Sequence, residues 1–386
     1  MKRSGTAIER YSHFLILDVR VLHFVTGGFS GATQVAINLS QQSRNLQGVD
    51  TLLALRKKRS TPAGRIQQLR QSGLQVELIP GWSHLATIIS IWRLCKRWRP
   101  DVFVAHGFSE HLWGRYAALL AGVPTIIHVE HNSRERYTPW RLFQARWLAK
   151  KTDAIVGVSE GVLSSLLSLG FPPEICTSIP NGIDLSKFES SANLEWRMRA
   201  SALVMAARFG KQKDHKTLIL ALHHLANENI HLRLYLAGTG KQRDINNLKK
   251  LVRLHGLEEQ VFFLGQTERL PALLMENKYF ILSTHYEGMP LALIEAMAAG
   301  CACIATNVIG VREVIGHRKS GILVAENDSI ALAAAIKEIL ADDLFSESLG
   351  KVAREVALSK FDIEQTSRNY QKLIAKTHRE KHGKFH

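Results

Sequence analysis

Short apolar runs, each closed by a glycine or a polar residue and followed by a helix-forming stretch, recur along the whole chain. Clear examples are residues 20–25, 102–105, 202–206 and 234–237. Strands that alternate with helices are typical of parallel sheets whose faces are covered by helices. At 386 residues the chain is also too long for one ordinary hydrophobic core. The sequence therefore predicts an α/β fold with parallel sheets in two or three domains.

Residues 279–300 combine a strand, a break and a helix in one segment. The apolar run 279–283 is interrupted by Gly288 and Pro290, and the helix-forming stretch 291–299 ends at Gly300. Glu287 is thus expected at the carboxyl end of a strand, and Glu295 about one turn into the next helix. Ligands of open α/β sheets bind at such strand ends, where the first amides of a helix lack internal partners.

This geometry suits a sugar nucleotide. Backbone amides of residues 289–292 would hold a diphosphate or a sugar hydroxyl, while the two carboxylates would accept hydroxyl pairs from a ribose and a hexose. Taken alone, the segment is also compatible with a capped surface helix that carries two solvated acids.

The wider run 283–315 resembles the signature of the family-4 retaining glycosyltransferases. The matching elements are Glu287-Gly288-x-Pro290, the second acid Glu295, Ala-Met-Ala-Ala-Gly at 296–300 and Glu-Val-Ile at 313–315. The resemblance covers roughly residues 20–378. It implies the GT-B fold, in which two Rossmann-like, doubly wound parallel-sheet domains face each other across a cleft.

The resemblance also implies a division of the chain. Residues 1–19 are predicted to be an N-terminal extension, and residues 20–190 an acceptor-side domain. Residues 191–360 are predicted to form the nucleotide-sugar-binding domain. Residues 361–386 would supply a helix that crosses back to the first domain, followed by a basic tail.

By the same resemblance, four residues are predicted to form the catalytic set. His131, at the end of a predicted strand, would bind a hexose hydroxyl beside the reaction centre, and Glu287 would orient the same sugar. Arg208 and Lys213 would neutralise the donor diphosphate, the first as a planar fork and the second as a point charge. Further donor contacts are expected from Gly28, Ser30, Gly31, Gly238, Gly265, Gly288, Met289, Leu291 and Glu295. Acceptor contacts are expected from His106 and Glu110.

The sequence has no Asp-x-Asp motif to hold a diphosphate through a divalent cation. We therefore expect the positive charge of Arg208 and Lys213 to stabilise the leaving group, with no metal and no cofactor beyond the UDP- or GDP-sugar donor. The resemblance implies transfer with retention of configuration to a lipid-linked saccharide, in the biosynthesis of lipopolysaccharide or capsule.

The net charge of +16 is spread over both halves of the chain, and two segments combine it with tryptophan. Basic helices with indole rings, at 82–99 and 134–151, suit an anionic membrane surface. The alternative is a packed helix whose tryptophans face the core and whose arginines face water. Nucleic acid is not an expected partner, because zinc-finger spacing, an RNP-like motif and long basic low-complexity tracts are all missing.

Other features of the sequence bear on the compartment. No apolar run approaches the length of about 20 residues that spans a bilayer. The cysteines Cys95, Cys176, Cys301 and Cys303 show neither a disulfide framework nor metal-ligand spacing. We therefore expect a cytoplasmic protein, peripheral on the inner face of the plasma membrane.

Two other classes of function stay open at this point. One is a different sugar-nucleotide enzyme on the same fold, such as an epimerase or a phosphorylase, although a phosphorylase would be expected to be longer and to carry a pyridoxal-binding lysine. The other is a basic scaffold protein with a decayed site. The intact set Arg208, Lys213, Glu287 and Glu295 argues against decay.

Overall fold

The computed structural model describes residues 19–44, 48–59, 61–134, 137–193 and 195–382. Residues 1–18 of the predicted N-terminal extension and residues 383–386 of the predicted basic tail lie outside the described part. Within it, the chain forms two sheets in which every strand pair is parallel. The predicted α/β class with doubly wound parallel sheets is confirmed.

The first sheet contains seven strands. They are β1 (Val19–Thr26), β2 (Val49–Arg56), β3 (Gln75–Ile79), β4 (Val102–His106), β5 (Thr125–Glu130), β6 (Ala154–Gly157) and β7 (Cys176–Ser178). Their order is β3-β2-β1-β4-β5-β6-β7. The connecting helices are α1 (Gly31–Ser43), α2 (Ala63–Gln71), α3 (His84–Trp98), α4 (Phe108–Ala121), α5 (Pro139–Ala149) and α6 (Glu160–Ser168).

The second sheet contains six strands. They are β8 (Ala200–Ala206), β9 (Leu234–Ala237), β10 (Val261–Gly265), β11 (Asn277–Leu282), β12 (Ala302–Thr306) and β13 (Ile322–Val324). Their order, β10-β9-β8-β11-β12-β13, repeats the pattern of the first sheet. The helices are α7 (His215–Asn227), α8 (Gln242–Leu254), α9 (Leu270–Glu276), α10 (Leu291–Ala298), α11 (Ile309–Arg312), α12 (Ser329–Ala341), α13 (Asp343–Lys360) and α14 (Ile363–His382).

Local sequence explains where several helices begin. Ser83, Thr138, Ser159 and Asp214 each precede a helix, and each side chain accepts a hydrogen bond from an amide of the first turn. Such caps satisfy amides that have no partner inside the helix. Central strands such as β4 and β12 are buried at every residue, as expected of strands with helices on both faces.

The chain order of each sheet reverses beside its first strand, between β1 and β4 and between β8 and β11. Ligand sites of open parallel sheets form at this switch point, outside the carboxyl ends of the strands. The helix α14 leaves the second domain and packs against α1 and β5 of the first. No helix in the described ranges is both long and apolar enough to span a bilayer.

Candidate functional site

The carboxylate of Glu287 lies just beyond β11 and is almost fully buried. One of its oxygens, Oε1, accepts hydrogen bonds from Thr284 Oγ1 at 3.0 Å and from Lys213 Nζ. Lys213 comes from the loop between β8 and α7, and the side chains of Lys213 and Glu287 are 18% and 7% exposed. The switch point of the second sheet therefore presents an ammonium and a carboxylate together.

Gly288 brings this loop into contact with the first domain. A Cβ atom at Gly288 would lie 2.0 Å from the carbonyl oxygen of His131, so only a glycine fits this approach. Beside this contact, Ser133 Oγ donates a hydrogen bond of 2.6 Å to the carbonyl oxygen of Glu287. The predicted catalytic residues His131 and Glu287 thus lie on loops that touch across the cleft.

On the first-domain wall, three histidines form a hydrogen-bonded chain. His131 Nε2 is 3.2 Å from His106 Nδ1, and His106 Nε2 is 2.9 Å from His23 Nδ1. Burial lowers the pKa of His131 to about 3 and that of His23 to about 4, and it holds the pKa of His106 well below its ordinary value. All three rings are therefore neutral at pH 7.

A second buried network lies behind His131. His111, His128 and Glu130 bring ligand atoms within 4.8 Å of one another, a spacing that a metal ion could use. However, Arg115 Nη2 lies 2.7 Å from His111 Nδ1, and the Tyr137 hydroxyl lies 3.1 Å from His111 Nε2. Both ring nitrogens of His111 are engaged, and a buried guanidinium stands beside the set, so the cluster is better described as a hydrogen-bond network.

This network reaches the backbone of the predicted catalytic histidine. Glu130 Oε1 accepts a hydrogen bond of 2.9 Å from the peptide N–H of His131. The other oxygen, Oε2, lies 3.5 Å from the Tyr137 hydroxyl. Burial lowers the pKa of Arg115 to about 10, which still leaves it charged at pH 7. The main chain of His131 is thus anchored from inside the domain.

Glu295 lies on α10, one turn after the Gly288 loop, and is half-buried. Loss of solvation raises the pKa of its carboxyl to about 7, and the nearby Lys187 opposes the rise. The first amides of α10 lack intrahelical partners, and the preceding residue, Pro290, supplies no capping side chain. An anion or a hydroxyl-rich ligand has donors and an acceptor here.

The other predicted donor residues lie at the strand ends of both domains. Ser30 precedes α1 and forms a capping box with Thr33, while Gly31 is the first residue of the helix. Gly238 packs so tightly that a Cβ atom would lie 2.0 Å from the carbonyl oxygen of Ala207. The amide of Gly238 donates a hydrogen bond of 2.7 Å to the carbonyl oxygen of Gly265. Arg208 is exposed in the loop after β8 and belongs to no ion pair of the described residues.

The structure buries both predicted acceptor residues. His106 is 0% exposed and lies behind His131, and Glu110 is 4% exposed. Arg56 Nη1 lies 3.6 Å from Glu110 Oε1. The basic segment 56–59 looks like a solvated connection in the sequence, yet its first residue is buried against an acid. Acceptor contacts from His106 and Glu110 remain predictions.

Sequence reasoning missed His23, Arg115, Glu130 and Tyr137. His23 lies inside β1 and not at a strand end, so its position carries no signal of function. Its role in the site depends on β1 and β4 being neighbours, which is a property of strand order. Glu130 was the one residue with a usable signal, because it directly precedes His131 at a strand end.

Comparison with known families and proteins finds similarity in both halves of the chain. Residues 29–187 match the family model described as Glycosyltransferase Family 4, and residues 186–356 match the model described as Glycosyl transferases group 1. The two matched ranges meet at residues 186–187, in the segment that connects the two sheets.

Curated relatives share about a quarter of their residues with the chain. A UDP-Gal:alpha-D-GlcNAc-diphosphoundecaprenol alpha-1,3-galactosyltransferase of Escherichia coli is 26% identical over 295 residues, which cover 72% of this chain and 76% of the relative. The putative colanic acid biosynthesis glycosyltransferase WcaL of Salmonella typhimurium is 28% identical over 291 residues, covering 71% and 70%.

Solved structures match over nearly the whole chain. HepE of Anabaena in complex with UDP-glucose has a TM-score of 0.81 at 19% identity and covers 93% of this chain and 100% of its own. The lipopolysaccharide outer core galactosyltransferase WaaB has a TM-score of 0.61 at 16% identity, covering 92% and 99%. These likenesses confirm the predicted GT-B fold.

Proposed function

Because the chain belongs to the glycosyltransferases, with a family 4 first half and a group 1 second half, we propose that it moves a hexose from a nucleotide-diphosphate sugar to a lipid-linked saccharide. The transfer retains the anomeric configuration of the sugar and requires no metal ion. The product is part of a bacterial surface polysaccharide. The enzyme works as a peripheral protein on the cytoplasmic face of the plasma membrane.

The observation that carries this proposal is the meeting of Glu287, Lys213 and His131 at the cleft. Lys213 bonds to Glu287 on the second domain, and the Gly288 contact and the Ser133 hydrogen bond hold the loop that carries His131 against the loop that carries Glu287. A diphosphate needs the cation, and a hexose needs the hydroxyl partners. A protein that only served as a binding scaffold would not need such side chains on both sides of the cleft.

In this proposal the leaving group is stabilised by charge. Lys213, the exposed Arg208 and the first amides of α10 face the developing negative charge of the diphosphate. His131 and Glu287 orient the hexose, and Glu295 accepts the ribose hydroxyls. The acceptor oxygen attacks from the face that the diphosphate leaves, and a phosphate oxygen takes its proton, so no side chain is an obligatory nucleophile. Contact between the domains excludes water.

Relatives support the substrate classes. The names of two of them specify sugar acceptors on diphosphoundecaprenol, and one specifies UDP-Gal as donor. The complexes of HepE contain UDP or UDP-glucose. We therefore propose a UDP-sugar as the donor to test first and a diphosphate-linked lipid saccharide as the acceptor.

A stripe along α3 supports membrane attachment. Leu85, Ile89 and Trp92 follow one another at helical spacing and are at least one-third exposed, and Trp82 just before the helix is 84% exposed. The basic residues Arg93, Lys96 and Arg97 are exposed on the same helix. Trp82 and Trp92 are thus on the surface, beside positive charge that suits anionic lipids, whereas Trp98 is partly buried and packs against the core. A similar exposed set, Trp140, Phe143 and Trp147, lies on α5.

The first experiment measures the thermal shift of the purified protein with UDP- and GDP-sugars, with and without EDTA. We expect one donor to raise the melting temperature equally in both conditions, and the shift to be lost in Arg208→Ala/Lys213→Ala. A shift abolished by EDTA would contradict metal-independent binding. No shift with any donor, in the presence of anionic vesicles as well, would contradict the transferase proposal.

The second experiment offers the donor so identified to short-chain diphosphate-linked lipid saccharides. The anomeric proton coupling of the product, measured by NMR, tests retention directly. A product of inverted configuration would overturn the front-face mechanism while leaving the transferase activity intact.

A further inference from the structure

The histidine chain joins three neighbouring strands. His23 is on β1, His106 ends β4, and His131 follows β5, and these strands are adjacent in the sheet. The ring centroids of His23 and His106 are 5.2 Å apart, and those of His106 and His131 are 5.4 Å apart. The chain therefore runs from inside the first domain to the cleft, and it ends on the residue that touches the Gly288 loop.

The bonding pattern restricts the protons on these rings. A neutral imidazole has one N–H donor and one acceptor nitrogen. If His23 Nδ1 donates to His106 Nε2, then His106 Nδ1 must donate to His131 Nε2, and His131 is left with a proton on Nδ1. If the direction is reversed, all three protons lie on Nε2. In either case the three rings share the same tautomer.

We infer that His106 and His23 are positioning residues that act through His131, by fixing its tautomer and the plane of its ring. Since His131 Nε2 is engaged by His106, Nδ1 is the atom left for a sugar hydroxyl. While the hydrogen bonds of the histidine chain all point in one direction, Nδ1 of His131 is always a donor or always an acceptor. A sugar hydroxyl beside Nδ1 therefore has one orientation. This inference rests on the proposed function for the identity of the ligand, but the tautomer of His131 does not depend on it.

The surroundings keep the chain neutral. His106 faces His23 on β1, His131 after β5 and His128 on β5, and each of these would repel a proton on it. His131 faces His128 and His106, and Glu130 accepts a hydrogen bond from the peptide N–H of His131. Across the cleft, the Glu287 carboxylate is already engaged by Lys213 and Thr284. Burial, together with the neighbouring rings around His106 and His131, thus disfavours an imidazolium in the histidine chain.

Histidine-labelled ¹⁵N NMR at pH 7, without any substrate, tests the chain directly. The nitrogen shifts of a neutral imidazole distinguish Nδ1–H from Nε2–H. We expect His23, His106 and His131 to show one and the same tautomer in the wild-type protein, with signals assigned from single His→Gln variants. Opposite tautomers in His106 and His131 would overturn the inference.

Two substitutions at the middle of the chain give the functional test. His106→Phe fills the space but breaks the chain, so we expect kcat to fall by up to about 100-fold with little change in the donor KM, as for a misplaced catalytic group. His106→Gln keeps one donor and one acceptor and should restore part of the loss. In His106→Phe the His131 signals should also average between tautomers.

The nitrogen signals of His131 separate positioning from mere loss of stability. With the chain broken, burial and His128 still hold the pKa of His131 low, so kcat should fall by the same factor between pH 6 and 8 while the His131 tautomer is no longer fixed. Val104→Ala, a core truncation on β4 in register with His23, is the matched control and should lower stability while the His131 tautomer and kcat stay near wild-type. A His106→Phe enzyme with wild-type kcat and unchanged His131 signals would refute the inference. Absence of transfer in the wild-type protein would instead refute the proposed function, and the NMR result would stand.

Discussion

The two walls of the cleft use different chemistry although they are built on the same strand order. The first-domain wall and the core behind it hold neutral histidines, whose pKa values burial lowers: His23, His106, His111, His128 and His131. The second-domain wall holds the charged pair Lys213–Glu287 and the carboxyl of Glu295. The comparison indicates that the fold supplies positions at strand ends, and the residues at those positions decide whether a wall carries charge.

The largest predicted difference between the walls is their response to acid. A buried neutral histidine gains a proton on unfolding below pH 6.5, so its contribution to stability is complete above that pH and is lost as the pH falls toward its folded pKa. For His23, with a pKa of about 4, the loss is on the order of 3 kcal/mol. The summed loss from several such histidines approaches the whole free energy of unfolding of a domain. We therefore expect the first domain to unfold between pH 6 and 4 before the second.

Hydrogen exchange at stepped pH measures this order domain by domain. Tryptophan fluorescence gives a simpler signal, because every tryptophan except Trp196 precedes residue 190. Residues 200–340 serve as the internal control, since His215 is the one buried histidine of that region whose pKa is lowered to about 4. Simultaneous loss of protection in both domains would contradict the contrast.

Removing charge from the second wall should have the next largest effect. Lys213→Ala deletes the cation at the end of β8, and we expect transfer to slow by about 10²- to 10³-fold, the usual cost of losing one transition-state donor. Donor affinity should change less than kcat. Lys211→Ala, an exposed lysine of the same loop, is the matched control and should be nearly wild-type. Equal losses in both variants would mean that the loop, and not Lys213, is responsible.

The contact between the walls is predicted to matter almost as much. In Gly288→Ala the new methyl would meet the carbonyl oxygen of His131 at 2.0 Å, so the two loops must separate. A misplacement of this size costs up to about 100-fold in turnover. Gly64→Ala, where the added methyl meets no atom within 4 Å, controls for the loss of a glycine. Unchanged turnover in Gly288→Ala would show that the loops need not touch during transfer.

Much of this arrangement was accessible from the sequence, and the reason is local. Glu287, Lys213 and His131 each follow a recognisable strand, and Glu295 lies in the helix-forming stretch after one, so their positions could be predicted without knowing the fold in detail. The histidine chain could not be predicted in this way. It requires β1 to lie beside β4, a pairing across 80 residues of sequence that no local pattern specifies. For the same reason the burial of Arg56 against Glu110 was not foreseen, because a run of basic residues normally indicates a solvated loop.

Glu295 gives a smaller effect with a distinctive pH dependence. Its raised pKa of about 7 means that the carboxylate is lost as the pH falls through neutrality. If the carboxylate accepts ribose hydroxyls, donor binding should weaken in that range. Glu295→Ala should weaken donor binding about tenfold with a smaller effect on kcat, and Glu295→Gln should remove the pH dependence. Calorimetric titration with the donor between pH 6 and 8 measures both, and unchanged affinity in Glu295→Ala would reject the ribose contact.

The smallest predicted effect concerns the outer face of the first wall, where α3 is proposed to meet the bilayer. Leu85→Ser/Trp92→Ser removes part of the exposed apolar stripe and leaves its lysine and arginines in place. We take the two native side chains together to bury about 40 Å² more apolar surface in lipid than two serines do. At about 25 cal/mol per Å², the partition coefficient of the protein between vesicles and solution should then fall roughly fivefold. Cosedimentation with phosphatidylglycerol vesicles measures the loss, and neutral phosphatidylcholine vesicles isolate the part that depends on charge. Leu254→Ser is the control, on a leucine of α8 in the second domain that is 77% exposed against 65% for Leu85, and it should leave vesicle binding unchanged. An equal loss there would mean that binding is not confined to the first domain, and that the apolar stripe of α3 has no special role in attachment.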